Sequence, residues 1–260
     1  MLDDNKPLTN EQIQYYRENG FVQIDDMLKP DELEELRQYL DETMRQEGGR
    51  SVQTSQKGNA YYKVLNQRVN TWRDHGGIAR FVLSSRFAQA AKDLTGSSGI
   101  RLFHDHALLK MPHDSRPTPW HQDWPYWPMN ETGALSIWIA LDDVDENNGC
   151  MMFVPKSQKI KNLKSVDLVE PHDIFSDGGA ARVDRNTAVV ARMKAGSCTF
   201  HDGLTFHYAH ANRTDRPRRA LAIIYMPDGT TFSGARHICT EGLGLEAGGR
   251  LQGGLFPRLA

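Results

Sequence analysis

The chain has 260 residues, of which 25% are charged, and its formal net charge at pH 7 is -2. Because positive and negative charges nearly balance, the composition gives no support for binding to nucleic acid or to an anionic membrane surface. The N-terminus is acidic and polar, and no run of about 18 apolar residues occurs. We therefore expect neither a signal peptide nor a transmembrane helix, and we predict a cytoplasmic protein with a single domain over residues 1–260.

Helices are predicted for most of the N-terminal third of the chain. Thr9 and Gln12 have the spacing of a capping box, and the helix that they open should end at Gly20. Pro30 suits the first position of a second helix, whose leucines recur at helical spacing. The apolar pattern from Ile78 to Leu94 predicts one further, uninterrupted helix.

The rest of the chain divides into a β-rich part and a glycine-rich end. After the mostly helical residues 1–98, short apolar runs over residues 99–228 alternate with Gly, Pro, Asp and Asn, which favours a sandwich or barrel and suits an eight-stranded double sheet. Residues 229–260 are predicted to be a flexible tail. The candidate strands are Ile100 to Met111, the segment holding His121 and Asp123, Ala134 to Leu141, Cys150 to Pro155, Leu163 to Leu168, Ala188 to Met193, Ser197 to His201, Phe206 to His210 and Ala220 to Met226.

The cysteines are three in number, Cys150, Cys198 and Cys239. They are widely spaced, and no CxxC motif occurs among them. This pattern argues against a disulfide framework and against a zinc site made of thiolates. We expect all three to be buried free thiols.

The segment PTPWHQDWPYWP, residues 117–128, carries the first candidate site residues. If it is extended, strand alternation points His121 and Asp123 to one face and Gln122 to the other. This pair lacks one histidine to become the two-histidine, one-carboxylate set that holds non-heme Fe(II). A surface hydrogen-bonded pair would have the same sequence. The aromatic residues around it favour the wall of a small-molecule pocket, although a proline-stiffened core loop remains the alternative.

A third ligand can come from the downstream segment FHDGLTFHYAH. It offers His201, His207 and His210. Spacing does not choose among them, because the fold brings together metal ligands that are distant in sequence.

Three segments in this order resemble the phytanoyl-CoA dioxygenase family of Fe(II)- and 2-oxoglutarate-dependent oxygenases: HQD, WIALDDVDENNGCMMFVPKS and FHDGLTFHYAHANRTDRPRRAL. The resemblance implies a mainly β fold with flanking α-helices around a double-stranded β-helix core (jelly-roll, cupin-like). It also implies that Fe(II), 2-oxoglutarate and O2 take part in the oxidation of a small-molecule substrate, with release of succinate and CO2. Hydroxylation is the expected outcome.

The resemblance assigns the metal ligands to His121, Asp123 and His207, the last of which lies five positions before Asn212. These three would then also be the catalytic centre. A carboxylate at Asp123 favours oxygen insertion over halogenation, because related halogenases have a small residue there. The other two histidines of the downstream segment are expected to be structural or to contact the ligands.

The resemblance also places the arginine that holds 2-oxoglutarate eleven positions after His207, at Arg218. A guanidinium can hold the distal carboxylate through two parallel hydrogen bonds. Arg219 would point to the opposite face of a strand that begins near Arg218, so Arg216 is the main rival.

Further cofactor and substrate contacts are expected around this centre. Trp138 matches a family position that lines the cosubstrate pocket, and His106, on the strand before HQD, shares a face with His104. For Trp138, a role in the core would give the same sequence. The expected substrate contacts, for which core packing is an equal alternative, are Trp124, Tyr126, Trp127 and Tyr62.

Two other classes of function fit part of the pattern. A zinc-dependent hydrolase could use the same three ligands, but it would need neither Arg218 nor 2-oxoglutarate. A cupin-like binding module could keep the fold and the metal without turnover. The sequence specifies neither the primary substrate nor the oligomeric state.

Overall fold

The computed structural model describes residues 2, 6–54, 60–113, 115–160, 164–176 and 180–260, which contain two antiparallel β-sheets, five α-helices and several short 3-10 helices. The helices are α1 (Asn10–Asn19), α2 (Pro30–Arg45), α3 (Ala60–Val64), α4 (Gly76–Val82) and α5 (Ser85–Thr95). The strands are β1 (Phe21–Ile24), β2 (Val52–Gln53), β3 (Gln67–Val69), β4 (Ile100–Lys110), β5 (Thr118–His121), β6 (Leu135–Ala140), β7 (Met151–Phe153), β8 (Val189–Ala191), β9 (Cys198–Asp202), β10 (His207–Ala209) and β11 (Arg218–Pro227).

The helix boundaries follow the capping residues. The side chain of Thr9 accepts a hydrogen bond from the backbone of Gln12, and Gly20 ends α1 with a φ of 83°. The predicted capping box is therefore confirmed. The single helix predicted from Ile78 to Leu94 is wrong, because the Ser84 side chain accepts a hydrogen bond from the first turn of α5 and so starts a new helix there.

The larger sheet has the strand order β1-β9-β6-β11-β4-β3-β2, and the smaller one has the order β5-β10-β7-β8. In the larger sheet, alternate residues of β6 and β11 point to opposite sides. Ile139 and Leu221 pack in a cluster with helix residues such as Phe81. Trp138 and Ala222 instead share a cluster with side chains of β7 and β8 from the smaller sheet. The helices thus cover one face of the larger sheet, and the smaller sheet covers the other.

One predicted strand and the predicted tail differ from the structure. Residues 164–168 form no strand, and Leu163 lies outside the described residues. Residues 229–260 were expected to be a flexible tail, but Phe232, Leu251 and Phe256 are buried in a cluster with side chains of β4 and β11. The Leu102 amide of β4 also donates to the Pro257 carbonyl oxygen at 3.1 Å. The C-terminal segment is therefore part of the packed fold.

The predicted state of the three cysteines is confirmed, since all are free and buried. In the described ranges, no helix combines the length and the apolar character that a membrane span requires.

Candidate active site

The side chains of His121, Asp123 and His207 converge between the two sheets. His121 ends β5 and His207 begins β10, and these two residues are paired across the smaller sheet. The Oδ1 atom of Asp123 lies 3.6 Å from His121 Nε2 and 3.5 Å from His207 Nε2. The three potential ligand atoms all lie within 4.8 Å of one another. The structure thus brings together the three residues that the resemblance implied.

The strand alternation that was expected to align His121 and Asp123 is wrong. Strand β5 ends at His121, and Asp123 has helical dihedral angles, with φ -76° and ψ -40°. The backbone turns after β5 into a short 3-10 helix, and this turn, rather than an extended backbone, places the Asp123 carboxylate beside the His121 ring. The convergence is real, but its local cause differs from the one predicted.

Both histidine rings are oriented by hydrogen bonds to carbonyl oxygens. His121 Nδ1 lies 2.7 Å from the Pro119 oxygen, and His207 Nδ1 lies 3.0 Å from the Thr205 oxygen. A carbonyl oxygen only accepts, so each Nδ1 carries the proton and each Nε2 presents its lone pair to the site. Burial, followed by the effect of His121, lowers the pKa of His207 well below its ordinary value, which keeps this ring neutral.

The Asp123 carboxylate is held through its second oxygen. Ser136 Oγ donates to Oδ2 at 2.9 Å, and His201 Nε2 lies 3.3 Å from the same atom. Burial alone would raise the pKa of Asp123, but interactions with His207, His121 and His201 outweigh it and keep the carboxylate ionised. Oδ1 is left for a metal. The sequence reasoning missed Ser136, although its position two residues before Trp138 on one strand could have revealed it.

Burial distinguishes Arg218 from Arg216 and Arg219, the two other arginines considered for binding 2-oxoglutarate. Its side chain is only 3% exposed, and its Nε and Nη1 atoms have no hydrogen-bond partner among the described residues. Its guanidinium carbon lies 5.2 Å from the centre of the Trp138 ring, and burial lowers its pKa to about 10. Arg219 points away and forms ion pairs with Asp142 and Asp41, whereas Arg216 is exposed. Two buried donors without partners are suited to binding an anionic ligand.

A cavity of about 500 Å³ surrounds the three convergent side chains. Trp138, His106, Tyr126 and Trp127 line it as expected. The volume is typical of a pocket for a small molecule.

Two of the residues expected to contact the substrate do not line this cavity. The described lining includes neither Trp124 nor Tyr62. The Trp124 indole N–H donates to the Glu131 carbonyl oxygen at 3.0 Å, and its ring packs against the cluster formed with the C-terminal segment. Tyr61 lines the cavity in place of its neighbour Tyr62. The sequence alone could not distinguish these two adjacent tyrosines, because successive residues of helix α3 point in different directions.

Several residues that line the cavity were missed by the sequence reasoning. Gln67 accepts a hydrogen bond from the His106 ring, whose Nδ1 lies 2.8 Å from Gln67 Oε1. Arg236, His237 and Ile238 of the C-terminal segment form another part of the wall. They were missed because the segment was expected to be a flexible tail.

The match to known proteins covers most of this structure. The family model described as phytanoyl-CoA dioxygenase (PhyH) matches residues 16–220. The chain belongs to this family. The peroxisomal phytanoyl-CoA dioxygenase of Rattus norvegicus is 24% identical to it over 242 residues, which cover 85% of this chain and 69% of the relative.

Solved structures of 2-oxoglutarate-dependent enzymes match almost the whole chain. The 2-oxoglutarate-dependent carbocyclase SnoK from nogalamycin biosynthesis is 27% identical, with a TM-score of 0.83 and 97% of each chain covered. The epimerase SnoN, in complex with Fe3+, 2-oxoglutarate and nogalamycin RO, is 30% identical, with a TM-score of 0.81 and coverage of 96% of this chain and 98% of its own.

This PhyH protein is an Fe(II)- and 2-oxoglutarate-dependent oxygenase that acts on a small molecule and uses O2. The resemblance, the reaction class and the cofactors expected from the sequence are thereby confirmed. The relatives favour an oxygenase over a zinc hydrolase or a binding module without turnover.

Proposed function

We propose that His121, Asp123 and His207 hold the iron and that Arg218 holds the distal carboxylate of 2-oxoglutarate. The observation that carries this proposal is the pairing of an oriented two-histidine, one-carboxylate set with a buried guanidinium that has unsatisfied donors. This ligand set is typical of non-heme Fe(II) oxygenases. A guanidinium matches a carboxylate through two parallel hydrogen bonds.

When bound, iron and 2-oxoglutarate supply the oxidising power by consuming O2 and releasing succinate and CO2. The protein contributes orientation and exclusion of water. Ser136 and His201 fix the carboxylate of Asp123, so that Oδ1 points to the metal position. Trp138 packs against the guanidinium of Arg218 and forms a wall of the cavity, which supports the expected contact with the cosubstrate. His106, fixed by Gln67, is proposed to contact the cosubstrate or substrate from β4.

The core of the domain is proposed to be a double-stranded β-helix, in other words a cupin-like jelly roll. Side chains of β4, β11 and β6 in the larger sheet share a cluster with side chains of β7, β8 and β10 in the smaller sheet, and His201 of β9 lies against Phe153 of β7. This arrangement supports the expected number of eight core strands. Because residues 229–260 pack on the same core, we propose that residues 1–260 act as one catalytic domain. A cytoplasmic location stays a prediction, and the rat relative is named as peroxisomal.

The substrate is proposed to be an aromatic or largely apolar small molecule. Tyr126, Trp127 and Tyr61 give the cavity aromatic walls. Among the described lining residues, Arg236 is the one lysine or arginine, so an acyl-CoA with its several phosphate charges would have little electrostatic support.

A second candidate outcome is oxidation without net insertion of oxygen. The solved relatives with the highest TM-scores given above are named as a carbocyclase and an epimerase. Ring closure or inversion of a stereocentre would begin at the same iron site. Product analysis with the true substrate distinguishes these outcomes from hydroxylation.

The direct test is turnover of 2-oxoglutarate. Anaerobically purified protein is mixed with Fe(II) and 2-oxoglutarate, oxygen is admitted, and succinate is measured. We expect slow succinate formation by the wild type and none by Asp123→Ala. The matched control, Asp31→Ala, removes an exposed carboxylate at the start of α2 and should keep the wild-type rate. Equal rates for wild type and Asp123→Ala would contradict the proposed site.

A further inference from the structure

A second group of side chains with metal-ligating atoms lies at the cavity wall, apart from the proposed iron ligands. It consists of His104 on β4 and of His237 and Cys239 in the C-terminal segment. Their potential ligand atoms all lie within 4.8 Å of one another. The ligand atoms of the first group meet the same upper bound, and no residue is shared between the two groups.

His104 is the member whose present surroundings leave it unsatisfied. It is 1% exposed, and neither of its ring nitrogens has a hydrogen-bond partner in the described part of the chain. A neutral imidazole always has one nitrogen with a free lone pair, whichever tautomer it adopts. Buried polar atoms without partners are rare in proteins, and an ion or ordered water is a common reason for them.

The two residues from the C-terminal segment complete a compact donor set. Asn70 Nδ2 donates to Cys239 Sγ at 3.5 Å. Hydrogen bonds from neighbouring side chains fix the orientation of a metal ligand. The Cys239 amide donates to His237 Nδ1 at 3.1 Å, so in the metal-free protein Nε2 of that ring carries the proton, and Nε2 becomes a ligand once this proton moves to Nδ1. The thiol is 7% exposed and free.

We propose that His104, His237 and Cys239 form a second metal site, which binds zinc or a similar borderline-soft divalent ion. Imidazole nitrogen and thiolate sulfur are the usual zinc ligands, and three protein ligands with water in the fourth position complete a tetrahedral site. Thiolate selects zinc, whereas the carboxylate of the first site suits Fe(II). On binding, the thiol proton leaves to solvent. The His237 ring proton moves from Nε2 to Nδ1, which gives up the hydrogen bond from the Cys239 amide.

The site would fix the C-terminal segment to the larger sheet. His104 lies within β4, whereas its two partners come from more than 130 residues further along the chain. Arg236 and Ile238, which line the cavity, lie beside the two ligands from that segment. Metal binding would therefore hold this part of the substrate pocket in place, without taking part in the oxidation.

Cobalt titration tests the proposal, because Co(II) bound to thiolate gives an intense near-ultraviolet charge-transfer absorption. We expect the wild type to bind two Co(II) ions per chain and to show this absorption. Cys239→Ser should bind one ion and lose the absorption. The matched control is Cys198→Ser, which changes another buried cysteine, on β9, and should keep both ions and the absorption. If Cys239→Ser does not fold, His237→Gln replaces it.

A second measurement separates this site from the proposed iron site. Asp123→Ala should lose one Co(II) ion but keep the thiolate absorption. Zinc should also protect residues 229–260 of the wild type, but not of Cys239→Ser, from limited proteolysis. A folded wild type that binds one Co(II) ion without the thiolate absorption would overturn the proposal. So would an absorption that persists in Cys239→Ser.

Discussion

Replacing Arg218 with methionine should separate cosubstrate binding from folding. The substitution keeps a long, flexible side chain in a nearly closed space, since Arg218 is 3% exposed. It removes the two nitrogens, Nε and Nη1, that have no partner within the described residues. If these donors serve the distal carboxylate of 2-oxoglutarate, binding is lost while the fold is kept.

The size of the effect follows from the hydrogen bonds. Each bond between charged groups contributes about 1.5–3 kcal/mol, so two contribute roughly 3–6 kcal/mol. At about 1.4 kcal/mol for each factor of ten, 2-oxoglutarate should bind Arg218→Met ~100- to 10,000-fold more weakly. In the ligand-free protein, removal of the donors that lack partners should stabilise the fold by about 1–3 kcal/mol. The lost attraction to the Trp138 ring, about 2 kcal/mol for a desolvated pair, offsets this gain, so the free energy of unfolding should stay within about 1 kcal/mol of the wild type.

Two assays measure these effects. Anaerobic calorimetry of the Fe(II)-loaded protein gives the affinity for 2-oxoglutarate, and urea unfolding of the ligand-free protein gives its stability. Arg219→Met is the matched control, because Arg219 pairs with Asp142 and Asp41 on the opposite side of the strand. Its affinity for 2-oxoglutarate should stay within about threefold of the wild type. An unchanged affinity in Arg218→Met, or an equal loss in the control, would refute the reasoning.

Three further predictions concern Ser136, His106 and Gly149. Ser136→Ala removes a hydrogen bond to the ligand carboxylate, so an anaerobic Fe(II) titration should give about 10- to 100-fold weaker binding, and unchanged affinity would contradict this. Burial lowers the pKa of His106 to about 4, so below about pH 6.5 the unfolded state binds protons that the folded state does not. The iron-free protein should therefore lose stability as the pH falls from about 6.5 towards 4, and equal urea midpoints at about pH 7.5 and about pH 5 would oppose this. Gly149 has a φ of 103°, and a Cβ there would lie 2.9 Å from the His210 carbonyl oxygen and 3.4 Å from Arg218 Nε, so Gly149→Ala should shift the backbone beside Arg218 and weaken 2-oxoglutarate binding in calorimetry. In the control, Gly229→Ala, φ is 104° and the Cβ meets nothing within 4 Å, so binding should be unchanged.

The metal ligands illustrate what the sequence could and could not specify. From the residues alone, three histidines were candidates for the third metal ligand, and the family resemblance selected His207. The structure pairs His207 with His121 across two strands, whereas His201 contacts the far oxygen of Asp123. This difference depends on the register between strands, which spacing within one segment does not encode. The local argument for Asp123 failed because β5 ends at His121.

The cavity wall was predicted less completely, because long-range packing determines it. Tyr126 and Trp127 line the cavity as expected, but Trp124, in the same aromatic segment, packs towards the C-terminal segment. The glycine content of that segment favoured a flexible tail. Its apolar residues are too widely spaced to form a periodic pattern, yet Phe232 and Phe256 are buried against the sheet. The composition showed that the segment is rich in glycine, but it gave no information about the sheet surface against which the two aromatic rings pack.

The most direct test of the proposed iron site compares two histidines of one segment. Anaerobic Fe(II) titrations with excess 2-oxoglutarate follow the visible absorption that the cosubstrate gains on chelating iron. The wild type and His210→Ala should develop this absorption, because His210 lies outside the convergent set. His207→Ala should not develop it at Fe(II) concentrations that saturate the wild type. Wild-type absorption in a folded His207→Ala, or its loss in a folded His210→Ala, would contradict the ligand set of His121, Asp123 and His207.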